Sequence, residues 1–108
     1  MQASLNWQVF SNSNRNAVID QLKDVISNNG GCIINSNMFS DLALSLSIEI
    51  EENSISKLHQ ALISIAQVSE FDSTAINSQS NKEWIIYLNV SFGGGTGDLK
   101  KEIASVPG

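Results

Sequence analysis

The sequence predicts an α+β fold in which four strands form an antiparallel sheet and two helices cover one face of it. Residues 42–51 alternate strictly between apolar side chains and small or polar ones, which indicates a strand with one face on a core. Two other segments carry apolar residues at helical spacing. The predicted elements follow one another in the order β-α-β-β-α-β, and 108 residues are enough for one domain.

The first two predicted elements are a strand over residues 5–10 and a helix over residues 16–28. The strand alternates, and the Ser- and Asn-rich segment after it suits a helix N-terminus. The helix carries an apolar stripe made of Val18, Leu22, Val25 and Ile26. We expect the turn containing Gly30 to end this helix, because glycine readily adopts the left-handed conformation found there.

Two strands in succession follow the glycines. Residues 32–36 predict a short strand, residues 37–41 a connection, and residues 42–51 the longest strand of the sheet. The apolar face of this long strand carries Leu42, Leu44, Leu46, Ile48 and Ile50. Its other face carries small and polar side chains. The core is therefore expected on one side of the sheet only.

The rest of the chain predicts a helix over residues 54–68, a polar loop over residues 69–83 and a last strand over residues 84–92. Residues 74–76 in the loop are compatible with a short strand. The helix stripe comprises Ile55, Leu58, Leu62 and Ile65. The apolar face of the last strand comprises Trp84, Ile86, Leu88, Val90 and Phe92. His59 lies off the helix stripe, which indicates a surface histidine.

This order of elements predicts a ferredoxin-like βαββαβ two-layer sandwich over residues 1–92, followed by a glycine-rich joint and tail over residues 93–108. The sheet face opposite the helices would be small and polar with few charges, and would include Phe10 and Ile85. A solvated sheet face usually carries more Lys and Glu. We therefore expect this face to be covered, by the tail or by a second copy, and we predict a homodimer.

Composition argues against several classes of function. The net charge is −5 and the six Lys and Arg residues are scattered, so nucleic acid is not an expected partner. No apolar run approaches the ~20 residues that span a bilayer, and the first residues lack the regions of a signal peptide. These observations predict a cytoplasmic protein without membrane contact.

Reactive groups are also scarce. The single cysteine, Cys32, is interpreted as a small buried hydrophobe. No His, Cys, Asp or Glu cluster has metal-ligand spacing, so we expect no metal, no cofactor and no catalytic residue. The glycine-rich run at residues 93–98 resembles the phosphate loop of tubulin-like GTPases, but it follows the last strand of a small domain. It is interpreted as a joint to the tail.

Two segments resemble the ACT domain, a small ligand-binding module of amino-acid metabolism. Residues 14–19, Asn-Arg-Asn-Ala-Val-Ile, match the loop that leads into the first helix of that family, and residues 29–33, Asn-Gly-Gly-Cys-Ile, match its turn into the second strand. The order of the later elements agrees as well. Ala17 stands where the family has a glycine, and Asn16 where it has a proline, and the alanine limits how closely a ligand can approach the backbone there.

The resemblance implies a non-enzymatic regulatory module that binds an amino acid or a similar carboxylate and pairs with a second copy, side by side into one sheet. Arg15 would hold the carboxylate beside the helix N-terminus. A second wall would come from residues at and after the end of the second strand, namely Asn35, Ser36, Asn37, Met38 and Asp41. The expected ligand-binding residues are Asn12, Asn14, Arg15, Asn16, Ala17, Asn35, Asn37 and Met38.

Two other functions stay open at this point. One is a dimeric α/β-barrel type of ferredoxin-like protein, with a ligand or catalytic cavity between two sheet faces that pack against each other. Tyr87 and Ile85 on the weakly charged face favour it. The other is a structural subunit that binds a larger protein. The sequence names neither the ligand nor the geometry of the dimer.

Overall fold

The computed structural model of the protein describes residues 3–93. In this part of the chain two α-helices, α1 (Arg15–Asn28) and α2 (Ile55–Ile63), pack on one face of a five-stranded sheet. The strands are β1 (Ala3–Ser11), β2 (Cys32–Ser40), β3 (Ala43–Glu51), β4 (Gln67–Val68) and β5 (Glu83–Phe92). The α+β class is confirmed. The predicted tail lies, beyond Gly93, outside the described residues.

The sheet is not the four-stranded antiparallel sheet that the sequence predicts. Its order is β2-β3-β5-β1-β4, and β5 pairs with β1 in parallel, whereas the other neighbours are antiparallel. The consecutive residues Ile85 and Ile86 point to opposite faces of the sheet, and both are buried. β5 lies in the middle of the sheet, between β3 and β1. A ferredoxin-like fold is therefore not confirmed.

The core lies between the helices and one face of the sheet. Most of each helix stripe is confirmed, since Val18, Leu22, Ile26, Ile55, Leu58 and Leu62 are all buried. Val25 is only partly buried, and Ile65 lies beyond the end of α2. In β3 the predicted alternation is confirmed from Leu44 to Ile50. The prediction for Leu42 is wrong: this residue lies before the start of β3, in the turn after β2, and is half exposed.

Several boundaries differ from the predicted ones. β2 continues to Ser40, so most of the predicted connection is strand that pairs with β3. α2 ends at Ile63, and the hydroxyl of Ser64 donates a hydrogen bond to the carbonyl of Ala61 (2.6 Å). Such a local bond competes with continuation of the helix.

The segment after α2 forms two short elements. The residues expected in the last turn of α2 instead supply β4, which pairs with β1. Residues 74–76 are not a strand. Ser73–Ala75 forms a 3₁₀ turn, whose N-terminus is capped by the Asp72 side chain accepting the Thr74 N–H.

The glycine turn ends α1 as predicted. Gly30 has φ of +89°, a conformation that side chains with a Cβ rarely adopt. The Gly31 N–H donates to the carbonyl of Ile26 (2.9 Å), and the side chain of Asn29 donates to the carbonyl of Val25 (2.8 Å). These bonds occupy carbonyls at the end of the helix, where no further turn follows to pair with them.

The face of the sheet that no helix covers is called here the open face. The register of the strands determines which side chains lie on it. Ser47 pairs with Tyr87 and Tyr87 with Asn6, while Ser45 pairs with Asn89. The predicted division of side chains between the two faces is confirmed across β3, β5 and β1. Tyr87 is 41% exposed on this face.

Candidate functional site

A pocket of about 360 Å³ lies where three parts of the fold meet: the N-terminus of α1, the turn between β2 and β3, and the end of β5. It is lined by Ser13, Asn14, Arg15, Asn16, Asp41, Leu42 and Phe92. The backbone N–H of Phe92 donates to the carbonyl of Leu42 (2.9 Å), which fixes the β2–β3 turn against the last strand. Each wall of the pocket is therefore attached directly to a helix or a strand.

An ion pair crosses the rim of this pocket. The guanidinium Nη1 of Arg15 donates to Oδ1 of Asp41 over 3.0 Å. The side chain of Asp41 is 95% exposed and that of Arg15 is 37% exposed. Exposed pairs of this kind are worth about 0–1 kcal/mol. A ligand could therefore replace either partner at small cost.

The start of α1 is organised by Asn14. Its side-chain oxygen accepts the N–H of Ala17 (3.2 Å), and its carbonyl accepts the N–H of Val18 (3.0 Å). Asn14 is therefore the N-cap of the helix, a role that its residue type favours. The N–H groups of Arg15 and Asn16 belong to the first helical turn and have no intrahelical acceptor. They and the guanidinium give this end of the pocket a positive potential.

The loop before α1 is held by a close backbone contact. The N–H of Gly93 donates to the carbonyl of Ser11 (2.8 Å), and a Cβ on Gly93 would collide with the side-chain oxygen of Asn12. Asn12 thus packs on Gly93 beside the pocket and does not line it. A residue with a Cβ at position 93 would therefore require the Asn12 side chain to move.

Three of the residues expected in the second wall lie elsewhere. Asn35 and Asn37 are opposite Ser47 and Ser45, on the open face of the sheet. Met38 is opposite Leu44 and is half exposed at the sheet edge. None of the three lines the pocket, because β2 runs on as a strand past all of them. The opposing wall is built by Asp41, which was expected there, and by Leu42.

The structure thus brings Asn14, Arg15 and Asn16 together with Asp41, and sets Ala17 one position further into the helix. Ser13, Leu42 and Phe92 are lining residues that the sequence did not indicate. Leu42 fits the alternation of the strand after it, so the pattern assigned it to the core. The position of Phe92 follows from the central location of β5, which no local pattern reveals.

A second cavity, of about 340 Å³, opens beside α2 and is lined by Ser56, His59, Gln60, Glu70, Phe71 and Ser73. The prediction of a surface histidine is wrong, since His59 is only 6% exposed. Its Nε2 donates to the carbonyl of Ser69 (2.8 Å), and its ring packs edge-on against Trp7 at 4.8 Å between centroids. Phe71 closes this aromatic cluster. His59 is thus a hydrogen-bonded core residue.

Glu52, which follows directly after the end of β3, is also a buried polar residue. Its Oε2 accepts the backbone N–H of Asn77 (2.6 Å), and this hydrogen bond lowers the pKa of the carboxyl below its ordinary value of 4.5. The charge of Lys82 acts in the same direction. The backbone N–H of Glu52 donates to the carbonyl of Lys82 (2.8 Å). These bonds hold the loop before β5 in place.

Cys32 is exposed, at the start of β2, so the prediction of a buried cysteine is wrong. Its partner on β3 is Glu49, which places it on the open face of an edge strand. Among residues 3–93, no three His, Cys, Asp or Glu side chains are grouped to hold a metal ion. Neither α-helix in that range is long and apolar enough to cross a membrane.

Comparison of the chain with protein-family models, with curated proteins and with solved structures gives no match.

Proposed function

We propose that the protein is a non-enzymatic module that binds a small molecule carrying both a carboxylate and an ammonium group, such as a free amino acid, in the pocket at the start of α1. The observation that carries this proposal is the Arg15–Asp41 pair on the pocket rim. It presents a cation and an anion 3.0 Å apart, both open to solvent. A zwitterion offers each of them a partner of opposite charge.

Each residue has a separate part in this proposal. Arg15 takes the ligand carboxylate in a bidentate manner, because its guanidinium presents parallel donors. The N–H groups at the start of α1 add to the attraction for the same anionic group. Asp41 accepts the ammonium, and Leu42 and Phe92 supply an apolar wall for a ligand side chain. The resemblance of residues 14–19 to the ACT loop supports the same ligand class.

A pair of variants tests the zwitterion against a simple carboxylate. Calorimetry should detect an amino acid hit from a thermal-shift screen, and Arg15→Ala should weaken its binding at least tenfold, about 1.4 kcal/mol. Asp41→Asn should also weaken it. For the deaminated analogue of the same ligand, Asp41→Asn should instead leave binding unchanged or strengthen it, because Arg15 loses its competing partner.

Lys57→Ala serves as the control, because Lys57 is an exposed cation on α2 that does not line the pocket. Unchanged binding in Arg15→Ala would place the ligand elsewhere. The absence of any amino acid or carboxylate hit in the screen would contradict the proposal.

The open face supports a second candidate, a face-to-face dimer with a ligand cavity between two sheets. Over residues 43–49 of β3 and the paired residues 85–91 of β5, this face carries one acidic side chain, Glu49, while its other members are small, amide, hydroxyl or apolar residues. Tyr87 stands exposed near its centre. Loss of ligand binding in Tyr87→Ala, with Arg15→Ala unaffected, would favour this candidate over the first.

A further inference from the structure

The two ring nitrogens of His59 are in different situations. Nε2 lies 2.8 Å from the carbonyl oxygen of Ser69. Because a carbonyl can only accept, Nε2 carries the proton of the neutral imidazole, and Nδ1 keeps a lone pair and acts as an acceptor. The bond to Ser69 is the only hydrogen bond that the ring makes to residues 3–93. The fold therefore fixes the tautomer of His59 and leaves one of its nitrogens unused.

The unused nitrogen opens on the second cavity, the one beside α2. Within the described chain, the fully buried side-chain nitrogens that lack a hydrogen-bond partner belong to Trp7 and Trp84, and Nδ1 of His59 is not among them. Nδ1 is therefore accessible, although the residue as a whole is only 6% exposed. His59 lines the cavity of about 340 Å³. A buried side chain thus offers this cavity an acceptor that the fold does not use.

The imidazole is held in position by three neighbours. Ser69 is fixed to β1 twice, because its N–H donates to the carbonyl of Gln8 and its hydroxyl accepts the N–H of Gln8, both over 2.9 Å. The ring also packs edge-on against Trp7 and lies 4.6 Å from Phe71 between centroids. These contacts restrict rotation of the ring. Nδ1 is therefore oriented before a ligand arrives, which lowers the cost of binding one.

The other side chains around the cavity determine which charge a ligand can carry. Besides His59 and Phe71, the cavity is lined by polar residues of α2 and of the segment after β4, namely Ser56, Gln60, Glu70 and Ser73. Glu70 is exposed and brings a carboxylate, whereas no Lys or Arg within residues 3–93 lines the cavity. An anionic ligand would therefore meet a like charge and no cation. A positively charged hydrogen-bond donor would meet two acceptors.

We propose that this cavity binds a small amine, a molecule with a protonated nitrogen, a short apolar stem and no acid group. The ammonium donates a hydrogen bond to Nδ1 of His59 and pairs with the carboxylate of Glu70. The hydroxyl of Ser56, one turn before His59 on the same side of α2, accepts a further N–H. Phe71 provides an apolar contact for the stem and an aromatic face that attracts a cation.

The inference does not rest on the ligand proposed for the pocket at the start of α1. In that pocket Arg15 presents a cation to a carboxylate. The cavity beside α2 has no such group among the described residues. The two sites should therefore select different molecules, an amino acid at α1 and an amine without a carboxylate beside α2. Failure of one proposal leaves the other standing.

NMR spectroscopy of the native chain tests the site directly. His59 is the only histidine, so the nitrogen signals of its ring are unambiguous. Isopentylamine, added at a pH where the spectrum shows a neutral ring, should shift the resonance of Nδ1 far more than that of Nε2, because only Nδ1 gains a hydrogen bond. Isopentyl alcohol has the same stem without the charge and should bind at least about tenfold more weakly. Leucine, which is isopentylamine with a carboxylate added, should not shift Nδ1.

Variants separate this site from the α1 pocket without a substitution at the buried histidine. Glu70→Gln should weaken the binding of isopentylamine at least about threefold, because it removes the charge and keeps the shape of the side chain. Glu83→Gln, at an exposed carboxylate outside the cavity, is the matched control and should bind as the native chain does. Asp41→Asn should also leave binding unchanged.

Three results would overturn the proposal. One is an Nδ1 resonance that does not move with isopentylamine, or that moves as far with leucine. Another is equal binding of isopentylamine by Glu70→Gln and the native chain. The third is loss of isopentylamine binding in Asp41→Asn, which would place the amine in the α1 pocket.

Discussion

β2 and β3 are antiparallel neighbours of nine residues each, joined by a tight turn, yet their side chains lie in opposite environments. In β3, every second residue from Leu44 to Ile50 is buried. In β2 no residue is buried and only Ile33 is partly covered. The difference follows from position, because β3 has a strand on both sides and β2 has one.

The sequence of β3 is constrained by burial of one of its faces, whereas the sequence of the edge strand β2 is not. The alternation of β3 is what burial of one face requires, and any other pattern would expose apolar side chains or bury polar ones. The pattern of β2, two apolar residues, Asn-Ser-Asn and two apolar residues, does not alternate, and of its residues only Ile33 packs against the core.

The largest effect is expected in β3. Leu46→Ala should lower the free energy of unfolding by about 2–5 kcal/mol, because Leu46 is 4% exposed and its truncation leaves a cavity. Ser47→Ala, on the opposite face of the same strand, should cost less than ~1 kcal/mol. Chemical denaturation of both variants measures the difference. Equal costs would mean that the two faces of β3 are wrongly assigned.

A smaller effect is expected at the turn that leads into β2. Gly30→Ala should cost about 1–2 kcal/mol, since its φ of +89° is strained for any residue with a Cβ. The new Cβ would also lie 3.2 Å from the hydroxyl of Ser54. Asn28→Ala, at the exposed end of α1, is the matched control. If both variants unfolded at the same denaturant concentration, the backbone of this turn would not constrain the position of β2.

The elements that the sequence predicts well are those whose packing is periodic. The stripes of α1 and α2 and the alternation of β3 repeat over several turns or residues, so the pattern alone identifies the buried face. The start of α1 was also predictable, because Asn14 acts through groups three and four residues away. The sequence therefore predicts an element correctly where contacts between residues close in the chain determine its structure.

The order of the strands depends on contacts between distant parts of the chain. β4 has two residues, too few for any pattern, and yet it occupies the edge beside β1. The run Trp84-Ile85-Ile86 places apolar side chains on both faces of β5, which is a signal for a strand inside a sheet. Phe92 was not predicted to line the pocket for the same reason, since it reaches the pocket through β5.

The pH dependence of stability tests the role of Glu52, which follows the end of β3. Because a hydrogen bond from Asn77 lowers the pKa of Glu52 below 4.5 in the folded chain, Glu52 stabilises the fold above about pH 4.5 and loses this contribution as the pH falls through the lower, folded value. Glu52→Gln should therefore lower Tm near neutral pH and flatten its decline in acid.

Some acid sensitivity should remain in that variant, because hydrogen bonds from Thr74 lower the pKa of Asp72 as well. Glu51→Gln is the control for the loss of one charge next to Glu52, at an exposed position. A decline in Tm with acid that is just as steep in Glu52→Gln as in the native chain would show that the Asn77 contact does not anchor the loop.

The smallest change in the free energy of unfolding is expected in β2. This change tests most directly whether β2 differs from β3 in its contribution to the core. Met38 is opposite Leu44, on the helix side of the sheet, but it is 49% exposed whereas Leu44 is 6% exposed. Met38→Ala should therefore cost less than ~1 kcal/mol in the free energy of unfolding. Chemical denaturation measures this cost. A large cost would mean that Met38 belongs to the core of its own chain, and that β2 is not the free edge that its exposure indicates.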